Sequence, residues 1–303
     1  MYIYLKLIFS WLTTACLCGL LLGISACQQA EELPPVVATP ILSFAVDDRT
    51  TAGSIAPAIW YVDDVLVTQN PGASPNFVLF QPSLGTFKLD SAHLSKAFIA
   101  GSRGLYHSDY TGFGDGELVI KEWNTDAETY AGTFAFIGRR QRTELDQTHS
   151  YVNVSQGRFE HLSIIRSAER YSDGWVTGRI GEERFATLEV AATAEDGLRI
   201  SAATLFYEKQ LSIYVPEDLL QMAEMPVGAD SEVAGTASLN IQLLRSDSGQ
   251  YNYFMNEVRP GGLLKLECLP RQDKFKLTVQ ATVVDDRTGE ELEVDLTMEV
   301  FAG

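Results

Sequence analysis

From residue 41 onward, apolar and polar side chains alternate along the chain, and no helical period is sustained. Alternation at a period of two is the mark of strands with one face in a core and the other in solvent. It predicts strands over 41–46, 77–80, 117–123, 130–137, 151–155 and 158–165, and then over 185–192, 198–207, 209–215, 237–244, 263–268, 275–284 and 292–301. Gly, Asn and Asp break the runs, and Ser155-Gln156-Gly157 and Asp286-Arg287-Thr288-Gly289 read as hairpin turns. One short helix is expected over 215–226, with Pro216 in its first turn, Glu217 and Asp218 at its positive end and Pro226 as its stop. A single helical turn is expected within 90–98.

The first 26 residues follow another pattern. A short start with one cation, Lys6, leads into an apolar run from Leu7 to Gly23, as in a secretory signal. The run closes on Ile24-Ser25-Ala26-Cys27, which resembles the lipobox of bacterial lipoprotein precursors. The resemblance implies cleavage before Cys27 and a lipid on its sulfur, with palmitate-type acylation of the new amino end. Each buried methylene of such chains contributes about 0.8 kcal/mol to anchoring. An uncleaved signal anchor is the competing reading, since about 18 apolar residues just span a bilayer. Residues 28–40, "QQAEELPPVVATP", contain three prolines and read as a tether reaching at most about 40 Å. Gln28 after the cysteine favours the outer membrane by the sorting rule of enteric bacteria.

The body can be laid over itself. Gly116, Leu118 and Ile120 match Gly262, Leu264 and Leu266, and Tyr130, Thr133, Phe134 and Phe136 match Phe275, Thr278, Val279 and Ala281. Val152, Val154 and Phe159 match Val294, Leu296 and Phe301. The pattern predicts two tandem β-domains, 41–168 and 169–303, joined across the polar stretch 166–174, the second a divergent repeat of the first. Gly116, Leu118, Ile120, Asp126, Gly132-Thr133-Phe134, Phe136, Gly157 and Phe159 also resemble a family of bacterial lipoprotein domains of unknown function. That resemblance covers about 100–165 and implies a secreted, anchored β-domain. It brings no catalytic residues.

Charge narrows the partners. Beyond Cys27 the chain carries 22 basic and 40 acidic residues, a net charge of −18, which repels phosphate backbones and makes nucleic acid an unsuitable partner. Cys16 and Cys18 lie in the leader, so once Cys27 is modified only Cys268 remains, expected as a buried structural thiol. The histidines His93, His107, His149 and His161 lack zinc spacing, although a hairpin at Gln156-Gly157 would bring His149 near His161. The acidic loops at 112–117 and 172–175 lack the spacing of a calcium cage, and no cofactor motif is found.

Acidic pairs stand at Asp47-Asp48, Asp63-Asp64 and Asp285-Asp286, and "VDDRT" occurs twice, at 46–50 and 284–288. Neighbouring residues on a strand point to opposite faces, so these pairs read as turns binding their own backbone rather than as glycosidase acids. Aromatics before matching hairpins, Tyr106, Tyr110 and Phe113 in one half and Tyr251 and Tyr253 in the other, are the candidate ligand contacts, able to stack on a sugar or peptide. The alternative for each is to cover a sheet edge or the mouth of a core.

The sequence thus predicts a mainly β chain of two tandem antiparallel sandwich-like domains with one short helix. It is expected in the cell envelope, lipid-anchored through Cys27, as a non-catalytic binding or structural module for glycan, peptide or an envelope protein. A polysaccharide hydrolase with paired carboxylates and a subunit of a surface assembly are the rival readings.

Overall fold

The computed structural model describes residues 39–102, 104–109, 115–140, 151–204, 208–229, 235–247, 250–269 and 273–303, excluding the side chains of 244–247 and 250–256. The first half of the body supplies β1 (Ile41–Val46), β2 (Arg49–Ala52), β3 (Ala58–Trp60), β4 (Val65–Val67), β5 (Pro75–Phe80), β6 (Gly85–Lys88), β7 (Lys96–Gly101), β8 (Gly104–His107), β9 (Asp115–Asn124), β10 (Thr129–Arg139) and β11 (Tyr151–Arg166). The second half supplies β12 (Gly174–Ile180), β13 (Glu183–Thr187), β14 (Val190–Thr193), β15 (Leu198–Ala203), β16 (Lys209–Val215), β17 (Glu224–Gly228), β18 (Ala237–Asp247), β19 (Gln250–Val258), β20 (Gly262–Cys268), β21 (Lys274–Asp285) and β22 (Glu291–Phe301). Each half forms one sheet of sandwich-like character, and the protein is mainly β.

The halves share a strand order. In the first, β2, β1, β11, β10 and β9 lie side by side, and in the second β13, β12, β22, β21 and β20 do the same. Each half therefore pairs its first strand with its last, Leu42 opposite Phe159 and Val176 opposite Met298. Gly116 stands opposite Phe136 and Gly262 beside Ala281, so the glycines matched in sequence each make room for their matched partner. The fillings differ. The first core is aromatic, with Phe44, Phe77, Phe134, Phe136 and Phe159 all buried, whereas the second is mostly Leu, Ile and Val with Phe185 and Phe275 among them.

The first sheet closes into a ring, running from β11 through β3, β4, β5, β7, β8 and β10 back to β11. The second curls until β14 lies against β12, where the Asp173 amide donates to the Val190 carbonyl (3.2 Å) and the Ala192 amide to Asp173 Oδ2 (3.2 Å).

Three expectations are corrected. Segment 215–226 makes only a single 3-10 turn, Glu217–Leu219, before β17 begins. Met225 and Val227 alternate inward, and this lets β17 bridge β18 and β20, which a helix cannot do. Segment 90–98 is a turn followed by β7, not a helix. Residues 155–157 form no hairpin: β11 runs unbroken past them with Gln156 at φ 53°, so they make a bulge opposite Ala135. A side chain at Gly157 would enter the Phe134 ring, which explains the glycine. His149, expected near His161 across that turn, lies outside the described residues.

β4 and β5 are buried on both faces. Leu66, Phe77 and Leu79 fill the first core, while Val65, Val67 and Val78 meet Leu188 of the second half among Tyr61, Phe80, Tyr171 and Trp175. Among the described residues, no helix is long and apolar enough to cross a membrane.

Candidate functional site

A groove of about 610 Å³ lies on the outer face of the second sheet. Strand parity builds it. Leu198, Ile200, Leu211, Ile213, Leu239 and Ile241 point into the core, so their neighbours on β15, β16 and β18 must point out. Register then sets these outward residues in rows across the strands: Ala203, Gln210 and Gln242 in one, and Ala191, Ser201, Ser212 and Asn240 in the next. A third row, Thr193, Arg199, Tyr214 and Ser238, lies just beyond. The first two rows line the groove. It is lined by the alanines and serines of these rows, by the half-buried amides Gln210, Asn240 and Gln242, by Tyr171 and Glu189, and by apolar Leu188, Val190 and Leu211. At the third row, the Arg199 guanidinium lies 4.2 Å over the Tyr214 ring, and the Tyr214 hydroxyl donates to the Asp196 carbonyl (2.9 Å).

Tyr171 and Glu189 are tied to the first half of the body. The Lys96 ammonium donates to Glu189 Oε1 at 3.2 Å, and the Tyr171 ring stands 5.6 Å from Tyr61. Asp63 Oδ2 accepts the Tyr171 and Ser172 amides, each at 3.2 Å, and so fixes the segment that carries the tyrosine. Lys96 is buried, and burial alone disfavours its charge. Asp109 and Glu189 reverse that and leave its pKa raised. The same environment drives His107 down to about 3, first by burial and then by the Lys96 charge, so this histidine is neutral. Burial raises the Tyr171 phenol, against the pull of Lys96.

Chemically, the groove offers amides and hydroxyls beside apolar Leu188, Val190 and Leu211. Glu189 is its one lining carboxylate and is already paired with a lysine, so the two opposed acids of a glycosidase are not assembled there. A second cleft of about 330 Å³ between the halves gathers Asp63, Asp64 and Glu299 with Phe80, Trp175 and Phe301. Asp63 Oδ2 caps backbone amides and Glu299 takes the Lys274 ammonium at 2.6 Å, while Asp63 Oδ1 is buried without a hydrogen-bond partner among the described residues. No group of residues able to hold a metal ion occurs among the described residues.

The other acidic pairs form turns. Asp47 and Asp48, both at positive φ, make the hairpin between β1 and β2. Asp285 Oδ1 accepts the Arg287 amide (2.9 Å) at the turn between β21 and β22.

Of the aromatics singled out in the sequence, Tyr106 belongs to the first core, only 4% exposed and packed over Gly101 and Gly138. It covers a core and faces no groove. Tyr110, Phe113 and Cys27 lie outside the described residues. Tyr251 and Tyr253 fall on β19 opposite Ser246 and Leu244, with side chains outside those described. Cys268 is exposed rather than buried. Its parity matches that of inward Leu264 and Leu266, and it stands opposite the core residue Phe275.

The amides of the groove were missed because each sits at an ordinary outward strand position. The available signal was their neutrality: in a chain that is 21% charged, "QLS" and "NIQ" present uncharged polar groups on adjacent strands. Compared with protein-family models, curated proteins and solved structures, the chain matches none.

Proposed function

We propose that this chain is a lipid-anchored exterior protein of the binding type, which holds its ligand in the groove on the outer face of the second sheet. Three things support the reading. The leader ends in Ile24-Ser25-Ala26-Cys27, the residues after it form a proline-bearing tether, and the body offers an open polar concavity in place of a reaction centre. The groove is the observation that carries the proposal. A neutral polar floor beside a tyrosine suits hydrogen bonding and stacking of a glycan or peptide, with specificity set by where the polar groups stand. The envelope, and the outer membrane in particular, is the address that the leader supports.

The hydrolase reading draws on the second cleft, where Asp63 Oδ2 is spent on backbone amides and Glu299 on Lys274. The assembly reading draws on the sheet edges β2 and β6, each only four residues long and mostly exposed, a form that discourages pairing with a neighbour.

The test uses the full chain purified from membranes in detergent, applied to glycan and peptide arrays. Retention on either array is expected, and it is lost in Ser212→Trp, which fills the floor from an exposed position and leaves thermal unfolding unchanged. Retention that survives this block, or no retention at all, overturns the groove as the ligand site.

A further inference from the structure

From the groove geometry we infer that the ligand is a neutral, extended glycan segment lying across β15, β16 and β18, with one terminal ring against Tyr171. This rests on the groove being the ligand site. Four observations select that chemistry.

The backbone is not on offer. Ser201, Ser212 and Asn240 are register partners on successive strands, so the amides and carbonyls beneath the groove are spent in the ladder. A peptide that adds a strand needs a free edge, and this site is the middle of a sheet face. The free side of β14 is already taken up by Asp173.

The outward floor residues are small. Ala191, Ala203, Ser201 and Ser212 present no bulky side chain, with Leu188, Val190 and Leu211 also lining the groove. A flat ring can rest on such a base.

The groups available match hydroxyls. Each side-chain amide of Gln210, Asn240 and Gln242 carries both donors and acceptors, and each serine hydroxyl does both at once. A sugar hydroxyl also donates and accepts, so the pairing is satisfied in either sense. Within a row, groups on neighbouring strands stand at the strand spacing of about 4.8 Å, close to the advance per ring along an extended chain, so about three rings lying across the strands meet a fresh polar group each. Tyr171, half-buried in the groove lining, provides an aromatic face for the C–H side of a ring, with Glu189 also in the lining as an acceptor.

Charge excludes the acidic polymers. Lysine and arginine are absent from the described lining residues, the one lining carboxylate is Glu189, and the chain is strongly acidic. A uronate or phosphate polymer would meet repulsion with no cation among the lining residues to receive it.

The experiment is calorimetric titration of the detergent-purified full chain with neutral hexasaccharides of glucose, xylose and mannose. Oligogalacturonate and an arrayed peptide pool serve as contrasts. At least one neutral oligosaccharide is expected to bind, with affinity unchanged between low and high salt because no ion pair is made. Asn240→Ala/Gln242→Ala is expected to weaken it about tenfold to a hundredfold, with the melting temperature held, since both positions face outward. Binding confined to oligogalacturonate, or affinity that falls with salt, overturns the neutral-glycan assignment. Peptide binding alone, blocked by Ser212→Trp, overturns the glycan and leaves the groove standing. Failure of every probe overturns both.

Discussion

Replacing Lys96 by methionine keeps much of the side-chain volume and removes its charge at the junction of the two halves. The lysine side chain is 7% exposed, and its partner Glu189 is 37% exposed at 3.2 Å. Oδ1 of Asp109 nearby is shielded from solvent and has no hydrogen-bond partner among the described residues. Removing one member of a buried pair costs about 3–5 kcal/mol, because the charge left behind has lost its counterion. Water reaches Glu189, which places Lys96→Met at the lower end, about 3 kcal/mol, or about 6–12 °C in melting temperature for a body of this size.

Acid should narrow that gap. Burial holds the Asp109 carboxyl above its usual range, Lys96 pulls it down and Glu189 pushes it up, so loss of the lysine raises it further. A carboxyl raised in the folded state takes up its proton before the unfolded chain does, so folding gains stability as pH falls toward the unfolded value. His107 acts in the same direction. Its depressed pKa of about 3 costs the native protein stability as pH drops below 6.5, and part of that depression comes from Lys96. Thermal unfolding followed by circular dichroism at pH 7.5 and pH 5 is the assay. A variant as stable as the native protein at pH 7.5, or a deficit that does not shrink at pH 5, would refute the reasoning.

Two further outcomes follow from single positions. Gly157→Val drives a side chain into the Phe134 ring at the bulge of β11 and should cost at least about 1–3 kcal/mol in denaturant unfolding; a neutral result would mean the bulge is plastic. Cys268, exposed at the end of β20, should react with a thiol reagent in the native protein nearly as fast as in the unfolded chain, and protection from the reagent would contradict its placement.

The sequence shows most clearly what strand parity controls. Alternation placed β10, β16, β18, β21 and β22, and the acidic turns at Asp47-Asp48 and Asp286–Gly289 were legible from their residue types. What it concealed depended on tertiary choices. Short β3 and β4 carry too few residues to show a period, and β4 is buried on both faces. The run 185–192 divides into β13 and β14 because Leu188 leaves the alternation to fill the junction between the halves. The turn-like Gln156-Gly157 became a bulge because Val154 and Phe159 both had partners waiting on β1 and β10, so the strand had reason to continue. The groove was hidden for a related reason. Its residues are near neighbours only after register sets β15, β16 and β18 side by side, and nothing in the spacing of Ser201, Gln210 and Asn240 along the chain announces that they share a row or an adjoining one.

Pairing the opening strand of each half with its closing one also sets a schedule. A polypeptide delivered from its amino end can lay down hairpins early, yet Leu42 waits for Phe159 and Val176 for Met298 before either seam can be sewn. Such distant contacts make closure slow and late. Until its own last strand arrives, each half leaves the opening strand without its partner.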